Sequence, residues 1–217
     1  IKLNENNTMR ALRHIFFLLL TLASLQAWAQ DAETQLLTEV YATDDERLTL
    51  YCQTPFKPND RIHIERVYPQ QTLLDHFGCE SARSCEMNAD YLVVWNDLHQ
   101  MFPITSSTSR HRRGTFIDDT RLEEPNHACG YKTTFQTFEP SDHAKGDIAR
   151  AILYLYDTYK VPLAGNLSTL QEWNKLDPPD EFEKLRNQRI ADIQGKSNPF
   201  IDNPELAEQV VMDLFGF

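Results

Sequence analysis

The sequence predicts an α+β fold, with strands in the first half of the chain and helices in the second. Residues 61–67, RIHIERV, begin by alternating apolar and polar side chains, which is the period of a half-buried strand. From Ser141 onward, apolar residues recur at intervals of three and four, as they do along one face of an amphipathic helix. Strands grouped before helices favour an α+β fold over an alternating α/β fold.

The start of the chain has the parts of an export signal. Residues 1–8 precede Met9 and look like an upstream extension. Residues 9–29 contain two arginines, a short apolar run and a small-x-small ending at Ala29, which is the order of a secretory signal peptide. We therefore expect a mature domain at 30–217, a periplasmic or secreted protein, and no membrane association after cleavage. The apolar run is short for a membrane span.

The charge balance argues against broad electrostatic capture of nucleic acid. The chain has a formal net charge of −11 at pH 7, and the expected leader removes more basic than acidic residues. One local basic cluster stands out at 109–114, SRHRRG, with Arg110, Arg112 and Arg113. It is either a phosphate-binding patch or an ordinary solvated loop.

The remaining elements follow from shorter patterns. In the first half we expect a short helix at 32–41, a strand at 48–52, a short helix at 70–77, a polar loop at 104–114 and a strand at 131–138. In the second half we expect helices from Ser141 and over 166–175, 180–195 and 203–215. The apolar stripe of the first of these comprises Ile148, Ile152, Leu155, Tyr156 and Tyr159. Phe182, Leu185 and Ile193 are expected to face inward from the third.

Four cysteines in an exported chain indicate disulfides, and three pairings are possible. Cys79 and Cys85 enclose five residues and suit a small local loop. Cys52 would then pair with Cys129 and tie an early strand to a later one. Zinc binding is the alternative, but no paired C-x-x-C motif supports it.

Several ordered motifs resemble one known family. They are TLYC, DLHQMFP and CGYK in the first half, and KGDIARAILYLYDTY, LQEWNKLDPP and RNQRIADIQGKSNPFID in the second. Together they resemble the bacterial secreted or periplasmic endonuclease I family over nearly all of the mature region. The resemblance implies a ββα-metal nuclease core with a helical C-terminal half. It also implies cleavage of phosphodiesters with one Mg²⁺. Glu and Asn side chains would hold the ion, and a His would act as the general base that activates water.

This sequence departs from the family pattern at the site that the resemblance implies. The metal-binding Glu is retained as Glu65, but Arg66 stands where the general-base His is expected. A guanidinium stays protonated at any working pH, so Arg66 cannot be that base. It would instead clamp the phosphate, or it is simply a surface partner of Glu65.

Other residues complete the candidate site. By resemblance, Ser109 occupies the position of the metal-binding Asn, and Arg83 lies near that of the phosphate-clamping Arg, with Arg112 and Arg113 as further phosphate ligands. The replacement base would be His63, which lies two residues before Glu65, or else His99 or His111.

The resulting hypothesis is a monomeric, exported, Mg²⁺-dependent endonuclease that acts on DNA, with RNA as a second substrate. The alternative is a catalytically impaired relative that binds nucleic acid or another partner. A disulfide-braced structural protein of the cell envelope is a third interpretation, and no feature of the sequence favours it.

Overall fold

The computed structural model describes residues 32–43, 47–112 and 115–211. The expected leader, the new terminus at Gln30, Arg113 and the end of the chain from 212 lie outside the described residues. Within the described ranges, no helix has both the length and the apolar character needed to cross a membrane.

The first half supplies a two-stranded sheet and several short helices. Strand β1 pairs with β2 in antiparallel register, so that Ile62 lies opposite Thr105 and Arg66 opposite Met101. Helix α5 follows β2 directly and packs on both strands. This ββα unit confirms the predicted α+β class. The elements are α1 (Ala32–Gln35, continued by a π turn at Leu36–Val40), β1 (Ile62–Arg66), α2 (Gln70–His76), α3 (Ala82–Cys85), α4 (Ala89–Trp95), a 3₁₀ turn (Leu98–Gln100), β2 (Met101–Thr105) and α5 (Ser106–Arg112).

A second, three-stranded sheet consists of β3 (Phe116–Ile117), β4 (Lys132–Thr133) and β5 (Thr137–Glu139), in the order β3-β5-β4. β3 runs parallel to β5, and β4 runs antiparallel to it. The strand predicted at 131–138 is therefore a hairpin, with Phe135 at its turn and 96% exposed. The hydroxyl of Thr134 accepts the amides of residues 136 and 137, which closes the turn.

The second half is helical, but the helix predicted over 203–215 is wrong within the described residues, because a 3₁₀ helix there ends at Gln209. It contains α6 (Asp142–Tyr159), α7 (Leu167–Leu176), α8 (Glu181–Gln194), α9 (Pro199–Asp202) and a 3₁₀ helix (Pro204–Gln209). Ile148, Ile152 and Leu155 are buried along α6, so its stripe faces the core. In α8, Ile190 is buried while Leu185 is 40% exposed, so the expectation that Leu185 faces inward is wrong.

Two other predictions from the first half are corrected by the structure. Residues 48–52 form no strand, because the chain turns back on itself at Gln53, whose φ is +46°, and only a bridge between Leu48 and Pro55 remains. The polar loop expected at 104–114 is instead the end of β2 followed by α5. The hydroxyl of Thr105 accepts the amide of Thr108 at the start of α5, as an N-terminal cap does.

Two disulfides brace the first half, and close helix packing braces the second. Both expected disulfides, Cys52–Cys129 and Cys79–Cys85, are confirmed. Gly146 of α6 lies so close to the segment after α7 that an added Cβ would be 1.8 Å from the Asp177 carbonyl oxygen. The Gly146 amide donates to the Asp177 carboxylate at 2.9 Å, so this approach is fixed by a hydrogen bond.

Candidate active site

The centre of the ββα unit is an ion pair between Glu65 on β1 and Arg112 at the end of α5. The Arg112 Nε donates to Glu65 Oε1 at 2.8 Å, and the two side chains are only 7% and 12% exposed. The Arg112 Nη1 donates to the carbonyl oxygen of Thr115, which holds the guanidinium in place. Arg112 therefore does not lie in a solvated loop, because it is buried against the strand that carries Glu65.

The electrostatics of this pair follow from its burial. Burial raises the pKa of Glu65, and the Arg112 guanidinium opposes that rise. Burial alone would lower the pKa of Arg112, but the Glu65 carboxylate raises it. Beside them, the hydroxyl of Tyr51 is fully buried and makes no hydrogen bond of acceptable geometry with any described residue. Burial, and then the charge of Glu65, raise the pKa of Tyr51. The centre is thus a small buried charged cluster.

Arg66 is engaged away from this cluster. Its Nε donates to the Trp95 carbonyl oxygen at 3.0 Å, its Nη1 pairs with Glu33 at 2.9 Å, and the guanidinium lies 4.5 Å from the centre of the Trp95 ring. Successive strand residues point to opposite faces, which separates Arg66 from its neighbour Glu65. The Glu65–Arg66 surface pair considered from the sequence does not form, because Glu65 pairs with Arg112 instead.

Two of the candidate bases, His63 and His99, have different surroundings. His63 is exposed and lies two residues before Glu65, on the same face of β1. His99 is 1% exposed, with its Nε2 3.0 Å from the Lys196 carbonyl oxygen and its ring edge-on to Tyr154. Burial lowers the pKa of His99. His63 thus shares a strand face with Glu65, and His99 is packed against the helical half.

The remaining predicted ligands lie on short helices. Ser109 is half-buried on α5, one turn before Arg112, and Arg110 beside it is exposed. Arg83 is exposed on α3, within the loop closed by the short disulfide. Only Arg112 among the predicted phosphate ligands therefore touches Glu65, and Arg113 lies outside the described residues.

The cluster that His111 of α5 forms with His127 and Tyr131 was only partly foreseen. The Nδ1 of His111 lies 2.7 Å from the Tyr131 hydroxyl, and the two histidine rings are 4.2 Å apart between centroids. Burial, and then the neighbouring His111, lower the pKa of His127. The sequence named His111 as a candidate base but missed its partners. Cys129 lies between His127 and Tyr131 in the chain. Its predicted disulfide with Cys52 was the one signal in the sequence that pointed to a contact between this segment and the first half.

The two predicted metal ligands, Glu65 and Ser109, both offer oxygen atoms, which suit a hard cation. No group of three or more His, Cys, Asp or Glu side chains in the described part of the chain is arranged to hold a metal. However, Glu65 Oε2 and the Ser109 hydroxyl accept no hydrogen bond from described residues, and the Glu65 side chain is not fully buried. One carboxylate oxygen and one hydroxyl are ligands that Mg²⁺ takes, with water filling the other positions.

Comparison with known proteins agrees with this architecture. An extracellular ribonuclease of Bacillus amyloliquefaciens is 34% identical over 133 residues, which are 52% of this chain and 46% of that protein. A periplasmic deoxyribonuclease of Aeromonas hydrophila is 31% identical over 151 residues, which are 65% of this chain and 63% of the relative. The chain thus spans between about half and two thirds of these relatives' length. The sequence model of the family described as Endonuclease I matches residues 26–205. On that match, the chain belongs to the endonuclease I family.

Proposed function

We propose that the protein is an exported endonuclease that hydrolyses phosphodiester bonds in DNA, with RNA as a second substrate, in the periplasm or outside the cell. The observation that carries this proposal is the ββα unit, in which Glu65 is fixed by Arg112 and keeps one oxygen free of hydrogen bonds from the described part of the chain. The names of the relatives, which include both deoxyribonucleases and ribonucleases, support nucleic acid as the substrate but leave the sugar open.

Glu65 Oε2 and Ser109 would hold the metal, which we propose to be Mg²⁺. Bound there, the ion would offset the negative charge on the phosphate and the leaving oxygen. Arg112 keeps the Glu65 carboxylate oriented by occupying its other oxygen. The exposed guanidiniums of Arg110 and Arg83 are available for phosphate contacts, and a guanidinium binds two phosphate oxygens at once.

Among the candidate bases, the contacts favour His63. It is exposed, it shares a strand face with Glu65, and imidazole takes up a proton near neutral pH. The Nε2 of His99 already lies within hydrogen-bond distance of a carbonyl oxygen in a buried setting, so a water molecule has little access to it. Arg66 has no free lone pair to accept a proton, and its donors already serve Trp95 and Glu33.

The test is digestion of supercoiled plasmid and of RNA by the oxidised protein, with Mg²⁺ and with chelator. The proposal predicts cutting with Mg²⁺ only, and loss of cutting in Glu65→Gln. Arg47→Ala serves as a control that should still cut. In the wild type, the Arg47 guanidinium donates to backbone oxygens that are far along the chain from Glu65. An inert wild type, correctly oxidised and supplied with Mg²⁺ or Mn²⁺, would overturn the proposal and leave a nucleic-acid-binding or partner-binding protein.

A further inference from the structure

A cavity of about 210 Å³ lies beside the ββα unit, and the proposed function does not use it. Its lining residues include Phe116, Asp118 and Thr72. The rest of the lining is mostly apolar, with Pro69 and Leu163 among it. A concave, mostly apolar site with an aromatic residue and a few polar groups is typical of small-molecule binding sites.

Two residues of the cavity lining are near neighbours, along the chain, of residues in or bonded to the candidate active site. One wall residue, Val67, follows Glu65 by two positions at the end of β1. On the other side, Phe116 comes directly after Thr115, whose carbonyl oxygen accepts Arg112 Nη1. The Glu65–Arg112 pair therefore connects, through bonded neighbours, to both sides of the cavity.

The aromatic side chains here are exposed to an unusual degree. Phe116 is 71% exposed and Phe135 is 96% exposed. The Phe116 amide donates to the Gln136 carbonyl oxygen at 2.9 Å, so the two phenylalanines lie on adjacent chain segments of one sheet. Exposing large apolar side chains together is unfavourable for the protein alone, and such surfaces commonly mark a binding site.

We propose that this cavity binds an unpaired nucleobase of a single-stranded nucleic acid, with the base stacked on Phe116 and its edge towards Asp118. Phe135 is the platform for a neighbouring base. The inference rests on the proposed function only for the choice of nucleic acid as the ligand. A duplex hides both the faces and the Watson–Crick edges of its bases, so a pocket of this kind accepts single strands.

The carboxylate of Asp118 gives the site a chemical preference. Its Oδ1 accepts the Asp119 amide, and its Oδ2 accepts no hydrogen bond from a described residue. A carboxylate oxygen accepts the amino hydrogens of cytosine, which thymine lacks. The pocket should therefore favour cytosine over thymine.

Charge also favours stacking as the main contact. The chain carries a net charge of −11, which opposes phosphate capture over most of its surface. Stacking is not opposed by that charge, and it is worth enough per base to support binding in its place. Binding through Phe116 should accordingly depend weakly on salt.

The test is fluorescence anisotropy of labelled oligo(dC), oligo(dT) and a blunt duplex of equal length, with the oxidised protein in chelator so that no cleavage occurs. We expect both single strands to bind more tightly than the duplex, and oligo(dC) more tightly than oligo(dT). Phe116→Ala should weaken single-strand binding about 5- to 150-fold, the equivalent of one stacked base. Asp118→Ala should remove the preference for oligo(dC) and leave oligo(dT) unchanged.

Met87→Ala is the matched control, because Met87 is 92% exposed but lines no part of the cavity. It should bind like the wild type. The proposal is overturned if Phe116→Ala binds like the wild type, if Met87→Ala weakens binding as much, or if Phe116→Ala instead abolishes self-association. Plasmid digestion in Mg²⁺ separates the two proposals. If the protein cuts but Phe116→Ala does not change its oligonucleotide affinity, the proposed function stands and the nucleobase pocket is overturned. If the protein is inert but its binding depends on Phe116, the pocket stands and the proposed function is overturned.

Discussion

Glu65 and Arg112 depend on each other because neither charge has another ion-pair partner among the residues that the structure describes. Arg112→Met would leave the Glu65 carboxylate buried and unpaired, and breaking such a pair costs about 3–5 kcal/mol of unfolding free energy. Without the guanidinium, burial acts alone and the folded-state pKa of Glu65 rises further above 4.5. A raised carboxyl pKa favours the fold below the unfolded-state pKa, and that advantage is lost as the pH rises through the folded-state pKa.

Urea unfolding at neutral pH and in acid below pH 4.5 measures this effect. The loss caused by Arg112→Met should be largest at neutral pH and should shrink in acid. Arg110→Met changes an exposed arginine of the same helix and should cost little at either pH. An equal loss at both pH values would show that Arg112 acts through packing rather than through its charge.

The placement of Arg66 leads to a second prediction. Because Arg66 is engaged with Trp95 and Glu33, Arg66→His should not increase Mg²⁺-dependent cleavage, even though it recreates the residue that the family has there. His63→Ala should lower the cleavage rate by about 10²–10⁴-fold, the usual contribution of a positioned base. Initial rates of plasmid nicking measure both. A clear gain in Arg66→His would mean that this position can reach the site after all.

The sequence identified Glu65 and its family position but could not identify the partner of its charge. Glu65 and Arg112 are 47 positions apart, and the contact depends on how α5 packs across β1. Arg66, the immediate neighbour, was the natural partner from the sequence alone. Strand alternation indicates that the side chains of Glu65 and Arg66 point to opposite faces, but it does not identify which distant arginine contacts Glu65.

At the scale of secondary-structure elements, α6 and the segment after α7 approach closely at Gly146. Gly146→Ala would place a methyl group 1.8 Å from the Asp177 carbonyl oxygen, so the two segments must move apart. We expect a loss of about 1–3 kcal/mol from this overpacking, although alanine is the better helix former. Thermal or urea unfolding measures it. Asp157→Ala, at an exposed position of the same helix, should stay close to the wild type.

The elements that the sequence predicted well are those with a long apolar repeat. β1 and helices α6, α7 and α8 all appear near their expected positions, because burial of one face sets their period. α5 was missed because its sequence, SSTSRHR, has no apolar residue to show a period. Its buried contacts come from Thr108 and Arg112, two polar residues one turn apart that reach distant parts of the chain.

For the whole molecule, the two disulfides should contribute unequally. Cys52–Cys129 spans 77 positions and Cys79–Cys85 spans 6, so the chain-entropy model assigns them about 4.5 and about 2 kcal/mol. Replacing the first pair by serines should therefore lower the unfolding midpoint more than replacing the second. The two double-serine variants, compared by thermal unfolding, provide this test. A larger loss from the short loop would mean that local strain or packing, rather than chain entropy, dominates.

The Cys52–Cys129 bond also decides which part of the protein carries mechanical load. β1, β2 and α5 all lie between the two cysteines, so tension applied to the chain outside them passes through the sulfur atoms. Reduction would release 77 further positions of extendable chain, roughly 28 nm at about 3.6 Å per residue. While the bond is intact, a pulling force can unravel the helical half without stretching the strands that hold Glu65. The load reaches those strands only after reduction.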